Sequence, residues 1–176
     1  INWPFSQLIL AGVKTVEARS YALGARPQGH HKNIAQPDVE MWLVETRAQE
    51  DALAKGWVLA GGAAVPPRPE EAQIVGTVTF SHSDEYTSLL SFGDDRHNHR
   101  IAPGGHYDWD GTGERHAWRV SAVRRLVHPV PQPGSKGTTG FTKNRPYTVS
   151  FAKTASTPVA PLKRGCQVPS AHGRAN

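Results

Sequence analysis

Cysteine is nearly absent: Cys166 is the only one in 176 residues. That excludes an internal disulfide framework and any multi-cysteine zinc site, and it predicts a reducing, intracellular setting, cytoplasmic or nuclear. Long apolar runs are missing as well. Trp57–Val65 is a Gly-interrupted stretch of nine, well short of the ~20 residues of a membrane-spanning helix, so no membrane partner is expected. The chain opens in patterned sequence with neither an initiator Met nor a secretory signal, which predicts native residues ahead of Ile1. Acidic residues are absent from the whole C-terminal third: His116–Asn176 holds ten Lys and Arg and no carboxylate.

Apolar residues make up 38% of the chain, and 17 Gly bring it to the ordinary globular range. One domain with a tail fits the length. The formal net charge of +5 hides a division: residues 1–114 contain nine basic and 15 acidic side chains, and all the surplus positive charge lies beyond them. Clustered Lys and Arg suit a polyanion through counterion release, so RNA or single-stranded nucleic acid is the expected partner. A solvated basic end is the other reading of the same pattern.

Phe5, Leu8 and Ile9 recur at helical spacing behind Pro4, and Gly12 suits the residue after a helix end. Strands are predicted over 13–21, 39–45, 74–80, 117–126 and 147–151, with a second helix over 48–55. Gly76 marks a possible bulge, and Pro129-Val130-Pro131 closes the fourth strand. The polar stretch 89–113 reads as a long functional loop. Residues 1–152 form the predicted domain, and 153–176 a disordered basic tail of Pro, Ala, Ser and Thr. The pattern predicts a mainly β, α+β barrel with short flanking helices.

In a strand, Thr15, Glu17 and Arg19 share one face, with Lys14 at the preceding turn where a cationic head can project into a cleft. A guanidinium or ammonium suits phosphate and a carboxylate suits base donors. The same three charges also make a plain surface ion pair with a solvated lysine. The segment Gly12-Val13-Lys14-Thr15-Val16-Glu17-Ala18-Arg19, behind its helix, resembles the G-x-K-T-x-E-x-R signature of ASCH domains. Ile74-Val75-Gly76-Thr77-Val78 is similar to their central strand. Trp118-Arg119-Val120 and Pro129-Val130-Pro131-Gln132-Pro133-Gly134 are similar to the late strand and its exit. The resemblance spans about residues 1–151.

That resemblance implies a PUA-like β-barrel and one of two activities. Many such domains bind RNA, DNA or modified nucleobases, which would make Lys14, Thr15, Glu17 and Arg19 ligand-binding residues. Some bacterial relatives are amidohydrolases on N4-acetylcytidine whose catalytic Lys matches Lys14; Glu17 stands where they have a catalytic Thr, so Lys14 and Glu17 are the catalytic candidates of that reading. A protein-interaction module is a third reading.

Two further ligand contacts are expected. Trp109, in the polar loop, is a candidate exposed platform for base stacking. Lys136, in the flexible loop 134–140, is a candidate phosphate contact, although the Walker spacing is absent. The region 115–153 is expected to supply contacts to the nucleic-acid backbone. The Asp and His residues of 94–110 match no strong zinc or calcium spacing, so no metal or cofactor is expected.

Overall fold

The structure, a computed structural model, describes residues 1–25, 35–46, 64–131 and 150–152. The predicted helix over 48–55, the loop with Lys136, most of the strand predicted over 147–151 and the tail from 153 lie outside the described residues.

Helix α1, Phe5–Leu10, buries Phe5, Leu8 and Ile9, as their spacing predicts. It stops at Gly12, whose φ is +70°. The Gly12 N–H donates to the Ile9 carbonyl and the Val13 N–H to the Leu8 carbonyl, both at 2.9 Å. These are the paired bonds of a Schellman stop, which needs a left-handed residue. The chain turns at once into β1, Val16–Arg19.

Three more strands follow: β2, Met41–Glu45; β3, Gln73–Glu85; and β4, His116–Pro131. They pair antiparallel in the order β1-β4-β3-β2. The strands alternate between two cores on opposite faces. Met41, Leu43, Val78, Phe80, Trp118 and Val120 pack with Ile9 on one side. Val16 and Ala117 pack with Phe5, Leu8, Phe92 and Trp109 on the other, so α1 contributes to both.

β3 and β4 run past their predicted ends. Ser83–Glu85 pair with His116–Trp118, and Gln73 and Ile74 pair with Pro131 and Val130. The prolines do not close the strand as predicted, because β1 pairs only with His116–Arg119 and leaves Pro129 and Pro131 beyond its reach. Gly76 does sit at a register shift on both sides of β3.

The stretch 89–113 is not one loop. It contains α2, Leu89–Asp94, capped by Ser88, and α3, Arg96–His99. Their apolar signal is weak because Leu89 and Leu90 face solvent while Phe92 alone of α2 is buried. The sheet is open, with β1 and β2 at its edges, and the barrel closure that the resemblance implies is not made among the described residues. Beyond β1, residues 150–152 join β4 through the Leu126–Phe151 bridge. None of the described helices is long and apolar enough to cross a membrane.

Candidate functional site

The Schellman stop fixes where the motif begins. It turns the backbone so that the N–H of Lys14 also donates to the Leu8 carbonyl, at 3.0 Å, and the Lys14 side chain runs inward. This corrects the expected projecting head: Lys14 is 2% exposed. Its Nζ donates to the carbonyl of His99 at 2.6 Å, lies 3.4 Å from Glu17 Oε2, and stands over the Phe5 ring. Burial pushes the ammonium down from the ordinary lysine range, against the opposing pull of Glu17.

Strand pleating then places Glu17 and Arg19 on one face, as expected. Arg19 Nη2 meets Glu17 Oε1 at 3.0 Å, so the carboxylate is held between two cations. Burial alone would raise the Glu17 pKa; Lys14 and Arg19 outweigh it and hold the carboxyl below its ordinary range. Glu17 is therefore an ionised, acceptor-only group. Exposure rises outward along the row, with side chains 2% exposed at Lys14, 11% at Glu17 and 37% at Arg19. The Arg19 guanidinium stands over the Trp118 ring, and its Nε is shielded from water with no hydrogen-bond acceptor among the described residues.

Helix α3, within the stretch expected to be a loop, holds the start of the motif. The Thr15 N–H and hydroxyl donate to the Asn98 backbone and side-chain oxygens at 3.0 and 2.8 Å. Asn98 Nδ2 donates to Asp95 Oδ1 at 2.6 Å. Asp95 also accepts from the Tyr86 hydroxyl at 2.5 Å and pairs with Arg119, which holds Asp84 at 3.0 Å. His99 is fully buried and stacked on Phe92, with Nε2 facing the Phe92 carbonyl at 2.9 Å and Nδ1 accepting from the Ile101 N–H at 3.0 Å. Those partners require a neutral ring protonated at Nε2, and burial lowers its pKa to about 4.

Thr15 is thus held as a partner of Asn98. Trp109 is not an exposed platform: it is 7% exposed, packs edge-on to Phe92, and donates its indole N–H to the Thr112 carbonyl. It buttresses the ring that supports His99. Lys136 lies outside the described residues. In the described part of the basic region, Arg119 is held by Asp84 and Asp95, Arg124 pairs with Glu40 at the surface, and Arg125 donates to Gln7. The Nε of Arg115, like that of Arg19, is shielded and without an acceptor among the described residues. Asp95, Asn98 and His99 were visible in sequence only as a polar cluster.

No family model matches the chain, and no curated protein matches it.

Proposed function

We propose that the chain is an RNA- or modified-nucleoside-binding domain of the ASCH, PUA-like type, with its ligand at the outer end of the Lys14–Glu17–Arg19 row. The observation that carries this reading is Arg19: a half-buried guanidinium, oriented by Glu17, whose Nε–H has no acceptor among the described residues. An unmet buried donor costs about 1–3 kcal/mol, and an arriving ligand that draws the guanidinium onto its own acceptor relieves it. Glu17, acceptor-only, takes base N–H donors beside it. Titration with nucleosides and short single-stranded RNA tests this: saturable binding is expected, weakened at least tenfold, about 1.4 kcal/mol, by Glu17→Gln. Binding that is unchanged in the variant contradicts the reading.

A second reading, an amidohydrolase on N4-acetylcytidine, is favoured by one observation. Burial lowers the pKa of Lys14, and its Nζ lies 3.4 Å from the Glu17 carboxylate, the kind of setting in which a lysine is tuned toward use as a base or nucleophile. That reading expects acetate release from N4-acetylcytidine, abolished by Lys14→Arg because a guanidinium does not deprotonate. Binding without acetate release returns the choice to the binder.

A further inference from the structure

The row is asymmetric. Its inner cation is sealed in the core, with the His99 carbonyl, Glu17 and the Phe5 ring around it. Only the outer cation reaches solvent. An anion in solution therefore meets Arg19 and not Lys14, whatever the protonation of the amine. Glu17 Oε1 fixes one edge of the guanidinium and Trp118 lies against its face, and Nε, shielded from solvent, has no acceptor among the described residues. In the strand register His116 stands opposite Arg19, and the carboxylate beside that histidine, Glu114, lies 3.3 Å from its Nε2.

The solvent-reaching part of such a guanidinium, oriented by Glu17, suits the oxygens of a phosphate, which accept from two N–H groups at once, better than a single neutral carbonyl. Resting on the nucleotide-binding reading, we propose that Arg19 is a specificity-determining residue that selects a phosphorylated ligand: a nucleotide, free or within RNA, over the bare nucleoside. Glu17 then both orients Arg19 and faces the base. The selection is for the phosphate itself, and it is independent of which base is bound.

Calorimetric titration of the full chain tests this with the four nucleosides, their 5′-monophosphates and a dinucleoside monophosphate, with inorganic phosphate alongside. At least one monophosphate or the dinucleotide is expected to bind about tenfold tighter than its nucleoside. That margin is expected to vanish in Arg19→Gln and to be kept in part in Arg19→Lys, with both variants checked for an unchanged melting temperature. The dinucleotide arm separates a terminal phosphate from a backbone diester. Nucleosides that bind as tightly as their phosphates overturn the phosphate selection and leave the binding reading standing. A margin that survives Arg19→Gln overturns it too, since the phosphate is then held elsewhere. Absence of binding by nucleosides, nucleotides and short RNA alike overturns the binding reading and this inference together.

Discussion

Lys14 is a structural residue, whatever part it takes in the proposed function. It ties the start of β1 to the end of α3 through the His99 carbonyl and neutralises part of the charge on Glu17. Lys14→Ala leaves a buried carboxylate with Arg19 as its remaining cation, and is expected to cost about 3 kcal/mol of stability. Pairing Lys14→Met with Glu17→Gln is expected to recover most of that loss, because the variant removes both buried charges while keeping the volume. Denaturant unfolding of the double-mutant cycle measures the coupling; additive losses contradict it. Activity lost in Lys14→Ala alone is therefore ambiguous, whereas Lys14→Arg keeps the charge.

His99 gives the fold an acid limit. With a folded-state pKa near 4 and an ordinary value of 6.5, the unfolded chain binds more protons between those values. Its stabilising contribution is complete above pH 6.5 and is lost as pH falls toward 4, amounting to about 3 kcal/mol. Glu17 adds to the loss at lower pH, since its carboxyl is also depressed in the fold. Histidine nitrogen NMR is expected to find an Nε2-protonated ring through neutral pH with a midpoint near 4; a midpoint above 6.5 contradicts the buried stack.

At the scale of elements, two glycines hold the motif in place for different reasons. A Cβ on Gly12 meets nothing within 4 Å, so Gly12→Ala costs only the strain of a positive φ, about 1 kcal/mol. A Cβ on Gly76 falls 2.3 Å from the Arg124 carbonyl oxygen and 2.8 Å from Leu10 Cδ2. Gly76→Ala must part β3 from β4 or shift α1, at a cost of about 3 kcal/mol or more. Thermal unfolding orders the two; a Gly76→Ala protein as stable as Gly12→Ala contradicts the close approach.

The same contrast explains what was readable in advance. Helix α1, its glycine stop and the Glu17–Arg19 face depend on spacings of two to four residues, and the sequence states them. The burial of Lys14 depends on His99, 85 positions away, and the place of Thr15 on Asn98, 83 away. No local pattern announces such contacts. Trp109 is buried where its sequence suggests exposure for a related reason: its neighbours in sequence are polar, while its neighbours in space are Phe92 and the second core.

For the molecule as a whole, the division of charge along the chain is not kept in space. The acidic first part supplies Glu40, Asp84 and Asp95 to the arginines of β4, so two of the three Arg of that strand are ion-paired and the third donates to Gln7. Within the described residues, much of the positive charge of β4 is thus met by carboxylates, and the proposed nucleotide site lies instead at the outer end of the Lys14–Glu17–Arg19 row. Backbone amide chemical shifts, followed during titration with short single-stranded RNA and nucleoside monophosphates, test that location directly. Saturable shifts are predicted at 14–19, 95–99 and 116–119, with the largest at Arg19 and its strand neighbours. Saturable shifts that leave these segments unmoved, or no shift with any ligand, contradict a nucleotide site at Lys14, Glu17 and Arg19.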